Sequence, residues 1–229
     1  MVDHTIQKST IKFLKDLAKN NQRDWFEARR PVYEEAHRNM IAFADQLIVE
    51  MDRHDEIERT TGRKSLHRIY NDVRFSKDKS PYRARFSVGL QRATKLKRGG
   101  YYIHIEPGNS FMACGFFSPN PDDLRRIRMD IDTGYDTWRK LLKAKALKDN
   151  FGGMEGAQVS TAPKGFAKDH PAIDLLRYKQ FLFRHNFTDL EVTANGFVKD
   201  VSKIYRSLRP WLDHMSEILT TDVNGESIV

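Results

Sequence analysis

The segment Arg68-Ile69-Tyr70-Asn71-Asp72-Val73-Arg74-Phe75-Ser76-Lys77-Asp78-Lys79-Ser80-Pro81-Tyr82 holds the densest set of groups in this chain that could do chemistry. Arg68, Arg74, Lys77 and Lys79 would form a cationic mouth. Asp72 and Asp78 would orient the guanidinium groups, Phe75 and Tyr82 would pin the loop, and Arg83 and Arg85 would extend the positive charge along the strand that follows. Arginine suits bidentate contacts to phosphate or carboxylate, and lysine adds a point charge. The chemistry these types suggest is the binding of an anion by Arg68, Asp72, Arg74, Lys77, Asp78, Lys79, Tyr82, Arg83 and Arg85. In a later strand Tyr102, His104 and Glu106 alternate with Ile103 and Ile105, so the three polar side chains share one face. Asp72, His104 and Glu106 are therefore the candidates for acid–base work beside such a site. The same residues also fit a salt-bridged, aromatic-anchored loop that only closes the fold.

Other chemistries find less material. His104 and Glu106 with Asp72 could ligate a divalent ion, but no H-E-x-x-H motif occurs, and Glu106 is followed by Pro107-Gly108 rather than by the lysine of a nuclease strand. We therefore expect no metal, and with neither G-x-G-x-x-G nor P-loop, no cofactor. The single cysteine, Cys114, sits among Phe111, Met112, Phe116 and Phe117, where it reads as a small core residue. It rules out an intrachain disulfide and a thiolate zinc cage. Trp138, Trp211 and the Trp25-Phe26 pair fall on helical apolar faces and read as core.

The charge distribution supports an anionic partner. The net charge is +8, yet Arg63–Arg98 alone holds 12 basic against two acidic side chains, and the remainder is slightly acidic. Nucleic acid is one such partner, since Tyr70, Phe75, Tyr82, Tyr101 and Tyr102 near the basic run could stack on bases. A small phosphorylated or carboxylated molecule is the other. The N-terminus has no apolar secretory stretch, and no segment is long and apolar enough to span a membrane. A cytoplasmic protein without a membrane partner is expected, and its oligomeric state is left open.

The elements that would position these groups follow from periodicity and turn chemistry. Helices are expected from Thr10 to Asn20 with Ser9 or Thr10 as cap, from about Asp24, and from Pro31 to about Asp55. Ser65–Tyr70 reads as extended. Tyr82–Leu90 alternates as a half-buried strand, and Tyr101–Glu106 pairs with Ser110–Phe117 across a type II turn at Pro107-Gly108. Asn120-Pro121-Asp122-Asp123 is a helix start, followed by helices to about Asp132 and from Thr133 to Leu147. After a Gly-rich break come a short helix near Ile173, a strand at Gln180–Phe187 and a helix from about Thr193 to Leu219, with a frayed tail from about Thr221. This is an α+β pattern in which an antiparallel meander packs against flanking helices, read as one domain over 1–229.

The basic segment resembles a bacterial family, also found in some fungi, known as domain of unknown function family 2461. Its signature reads approximately R-x-x-R-D-x-R-F-x-x-D-K-x-x-Y. Arg68, Asp72, Arg74, Phe75, Asp78, Lys79 and Tyr82 match it, and Asn71 stands where the family usually has arginine. The resemblance extends to Asn20-Asn21-Gln22-Arg23-Asp24-Trp25-Phe26, to Gly99-Gly100-Tyr101-Tyr102 with the Pro107-Gly108 turn, and to Asp169-His170-Pro171-Ala172. It implies a shared fold and assigns no activity.

Overall fold

The computed structural model describes residues 4–74, 77–93, 95–222 and 224–229. Helices α1 (Lys8–Lys19), α2 (Arg23–Glu27), α3 (Arg30–Met51) and α4 (Gly62–Ser65) precede strands β1 (Phe86–Gln91), β2 (Gly100–Ile105) and β3 (Ser110–Phe116). Next come α5 (Pro121–Leu142), α6 (Lys145–Phe151), α7 (Ile173–Leu176), β4 (Phe181–Phe187), α8 (Asp189–Val192), α9 (Phe197–Ser207) and α10 (Arg209–Thr220). The strands form one antiparallel sheet in chain order, β1-β2-β3-β4, the signature of a meander. The fold is α+β, as the periodicity predicts.

The chain divides into two compact units. One comprises 1–90, 102–112 and 186–203, the other 91–101, 113–185 and 204–229, so the divide falls within the four strands and α9 and not at a linker.

In the first unit, α1 presents Ile11, Phe13, Leu14 and Leu17 to the core, and α3 presents Ala36, Met40, Phe43, Ala44 and Leu47. These positions recur every three or four residues, the spacing that lines one side of a helix. Thr10 does not cap α1. Its hydroxyl donates to Asn39 Oδ1 (2.8 Å), which also accepts from the Gln7 backbone N–H, while Asn39 Nδ2 donates to the Thr5 carbonyl. A buried amide on α3 thus takes the place of a cap and fastens the start of α1. Thr61, by contrast, does cap α4, accepting from the Lys64 amide.

Of Ser65–Tyr70, expected to be extended, Ser65 ends α4 and residues 66–70 run antiparallel to the chain around β1. Leu66 bridges Val88, Tyr70 bridges Tyr82, and the His67 amide donates to the Ser87 carbonyl at 2.8 Å. Between the bridged tyrosines, the described residues 72–74 and 77–80 carry no helix or strand. At the far end of β2, the Asn109 amide donates to the Glu106 carbonyl with Gly108 at φ +75°, the conformation a type II turn demands of its third residue.

In the second unit, α5 starts at the expected cap, with Asn120 Oδ1 accepting from the Asp123 amide at 2.8 Å. The two helices expected over 121–147 are instead α5, kinked at the non-helical Gly134, and α6. Trp138 and Trp211 are buried edge-to-face partners, and Cys114 is buried as expected. The single helix expected from about Thr193 to Leu219 is two helices, α9 and α10, preceded by the short α8. Gly196 at φ +90° separates α8 from α9, and Pro210 opens α10, where a missing amide hydrogen costs nothing. Beyond α10 the chain turns back, the Ile228 amide donating to the Thr220 carbonyl.

Candidate functional site

Period-two alternation sorts β2 by chemistry. Tyr101, Ile103 and Ile105 are buried on the core side, and Tyr102, His104 and Glu106 point to the opposite face. Successive members of this polar row are within hydrogen-bonding distance. The Tyr102 hydroxyl lies 3.1 Å from His104 Nδ1, and His104 Nε2 lies 3.1 Å from Glu106 Oε2, which also accepts from Asn109 Nδ2 at 2.6 Å. His104 is only 6% exposed, its ring stacked on Phe111 of β3 at 4.6 Å and 16°. Burial raises the Glu106 carboxyl. Hydrogen bonds from Asn109 and His104, then the charges of His104 and Arg85, outweigh it and hold the group below the usual carboxylate range. When the imidazole is neutral with its proton on Nε2, Glu106 Oε2 accepts the Nε2–H hydrogen bond and Nδ1 accepts from the Tyr102 hydroxyl. The row is a chain of hydrogen-bonded groups that ends on a half-buried phenol.

Three further groups border it. Arg85 lies within electrostatic reach of both Glu106 and His67. Its Nε is shielded from solvent and has no hydrogen-bond partner among the described residues. His67 reaches over β1, its Nδ1 3.3 Å from Ser87 Oγ and its ring 6.0 Å from that of Tyr102. Gly89 makes the room, since a Cβ there would lie 3.2 Å from His67 Nε2. Burial first, then the charges of Arg83 and Arg85, push His67 below the ordinary histidine range. Arg83 is steered by Asn71, whose Oδ1 accepts from Arg83 Nε (3.1 Å) while its Nδ2 donates to the Ser80 carbonyl. The residue that departs from the family signature thus ties to Ser80 and orients an arginine.

The residues of the basic segment are engaged locally, Asp72 with Arg74 as the salt-bridged reading expects. Arg68, Asp72, Arg74, Lys77, Asp78 and Lys79 are exposed. Arg74 is committed to a two-pronged contact with Asp72 (3.0 and 2.8 Å), which lowers the aspartate and raises the arginine. Asp78 accepts from the Ser80 amide instead of pairing with Lys79 or Arg68, because a short loop puts the amide two residues on within reach of an aspartate. Lys79 donates to the Val73 carbonyl. Tyr82 is a correction. It is 4% exposed, stacked on Phe26 at 3.9 Å and 12°, and its backbone N–H and C=O are both held by Asn21, so its ring presents no ligand surface. Tyr101 is likewise buried, which removes it from the aromatics that could stack on bases; Tyr70 is 43% exposed. The proposed anchor Phe75 and the loop residue Ser76 lie outside the described residues.

Asp72 is engaged with Arg74. Among the described residues, no group of three or more His, Cys, Asp and Glu side chains is arranged to hold a metal ion. His67, Ser87, Asn109 and Phe111 were not among the sequence candidates. A histidine in an extended segment facing a glycine-bearing strand was the available signal for the first of them.

The described helices include none long and apolar enough to cross a membrane. A family model described as "Conserved hypothetical protein (DUF2461)" matches residues 9–214, nearly the whole chain. Comparison with curated proteins and with solved structures finds no match.

Proposed function

The chain belongs to the DUF2461 family of conserved hypothetical proteins, and we propose that it binds a small anionic ligand on the polar face of the sheet, where Tyr102, His104 and Glu106 exchange a proton with it. The observation that carries this reading is the Arg85 guanidinium. A shielded N–H donor without a partner is costly, and an oxyanion seated on Arg85 would satisfy it beside the relay. The exposed cations of the 72–80 segment are weaker candidates, because surface charges are well screened and Arg74 is already spent on Asp72. The site is thereby drawn in from residues 68–85 to Arg83, Arg85 and the sheet.

The relay supplies the chemistry. Glu106 fixes the His104 tautomer, and His104 can withdraw the Tyr102 proton as charge develops on a bound ligand or return it to a leaving oxygen. A bound anion and a positioned phenol define an enzyme acting on a small phosphorylated or carboxylated substrate.

The test is a thermal-shift screen against phosphate esters, carboxylates, nucleotides and short RNA and DNA, with wild type, Arg85→Gln, Tyr102→Phe and the double variant Arg74→Ala/Lys79→Ala. The expected result is a small anion that raises the melting temperature of wild type, Tyr102→Phe and the loop double variant but not of Arg85→Gln. Loss of the shift only in the loop variant would move the site to the loop. Stabilisation confined to oligonucleotides and abolished by salt would overturn the reading in favour of nucleic acid.

A further inference from the structure

We infer that His67 is the third arm of this anion site and takes up a proton as the anion binds, so that the site selects dianions, such as phosphate monoesters, over singly charged carboxylates. The inference rests on the anion site proposed at Arg83 and Arg85.

The placement of His67 is the starting point. The bridge between Leu66 and Val88 and the bond from the His67 amide to the Ser87 carbonyl seat the residue alongside β1. Its side chain crosses onto the polar face, with Nδ1 toward Ser87 Oγ and Nε2 over Gly89, where the missing side chain leaves it room. The residue is exposed as a whole, so an incoming ligand reaches the ring. The groups facing it can be named from every neighbouring element. Ser87 and Gly89 come from β1, Tyr102 from β2, and Arg83 and Arg85 from the chain leading into β1. Arg68, next to it in sequence, acts on Asp72 instead.

The charged groups acting on the imidazole are thus both cations, and their repulsion, added to burial, keeps the ring neutral near pH 7. An oxyanion seated on Arg83 and Arg85 reverses that balance. It screens the two guanidinium charges and supplies a negative partner for the imidazolium, so the histidine's proton affinity rises on binding. A dianion gains from a third positive charge after two arginines have neutralised it, whereas a monoanion is already balanced by the two. Proton uptake and selectivity for doubly charged ligands are therefore one effect, reciprocal by linkage.

Isothermal titration calorimetry with sulfate tests this directly, because sulfate stays a dianion near neutral pH and contributes no protons of its own. Acetate serves as the monoanion. Each is titrated into the full chain near pH 7 and at about one pH unit lower, in buffers of different ionisation enthalpy, so that the slope of observed against buffer enthalpy counts the protons taken up. We expect sulfate to bind with net uptake approaching one proton, affinity to rise by up to about tenfold per pH unit on acidification, and acetate to bind more weakly with smaller uptake. In His67→Asn, and in His67→Gln as a second variant, sulfate affinity should fall, uptake should vanish and the preference over acetate should shrink. Sulfate binding without proton uptake, or with uptake unchanged in both variants, overturns the role of His67 while leaving the anion site standing. If neither anion binds the wild-type chain, the underlying site falls, and the inference with it.

Discussion

Replacing Asn21 by alanine should loosen the chain at Tyr82 by an amount that the structure sets. Asn21 Nδ2 donates to the Tyr82 carbonyl at 2.7 Å, and its Oδ1 accepts from the Tyr82 amide at 3.1 Å, closing a pair of bonds across 61 residues of sequence. Each such bond contributes about 1 kcal/mol net, and a buried partner left unsatisfied adds to the loss. Tyr82 is 4% exposed and lies beneath Phe26, so water reaches neither backbone group readily. The expected cost is about 2–3 kcal/mol, which for a chain of this size lowers the melting temperature by roughly 5–10 °C. Because the chain divides into two units, global melting can mix two transitions. Hydrogen exchange at the Tyr82 amide is the more direct assay, and its protection should drop in the variant while that of β2 is retained. Asn21→Asp keeps the acceptor but turns a carboxylate toward the Tyr82 carbonyl, so it should lose at least half as much stability as alanine. An Asn21→Ala protein within about 0.5 kcal/mol of wild type, with Tyr82 exchange unchanged, would refute the reasoning.

Arg92 has a wholly buried side chain that donates from Nη1 to the Leu212 carbonyl and Ser216 Oγ (both 3.1 Å) and from Nη2 to Asp213. Arg92→Met should cost about 3 kcal/mol in urea denaturation, and a loss under about 1 kcal/mol would show that the network is dispensable. Gly115 sits at φ +127° with a would-be Cβ 2.2 Å from the Phe181 carbonyl oxygen. Gly115→Ala should abolish soluble expression, and a well-folded variant would contradict the pairing of β3 with β4. His37 and His67 are both held below the ordinary histidine range, chiefly by burial and then by nearby arginines. A depressed histidine favours the fold above its unfolded value, so stability should fall as pH drops from about 6.5 toward 5. The double variant His37→Gln/His67→Gln should flatten that slope; an equally steep fall in it would assign the titration elsewhere.

How much of this was legible in sequence depended on how far each partner lies along the chain. Alternation in β2 assigned Tyr102, His104 and Glu106 to one face before any pairing was known, and Asn120-Pro121 announced α5, because strand faces and helix caps are local. The bond between Asn21 and Tyr82 is not local. Asn21 read only as the residue ending α1, since nothing in its neighbourhood names a partner 61 residues away. Asn39 was closer to readable. Its helical phase coincides with Ala36, Met40 and Phe43, and a polar residue on an apolar stripe calls for a buried partner. In the basic segment the individual partners were not all legible, for a different reason. Clustered arginine and lysine describe composition, whereas Asp72 and the Val73 carbonyl had already claimed Arg74 and Lys79. His67 escaped notice because its position gains meaning only when Gly89 is seen beneath it.

The interleaving of polar and core residues on β2 also guards the fold against mispairing. Sliding the strand by one residue would turn Ile103 and Ile105 outward and drive His104 and Glu106 into the space they vacate. A misaligned hairpin would then bury a carboxylate without partners and strip the apolar interior at once, a double penalty far larger than that of an ordinary slipped strand. The polar row thus acts as a built-in proofreader of its own alignment, and chains that complete β2 correctly have brought Tyr102, His104 and Glu106 together by the same event.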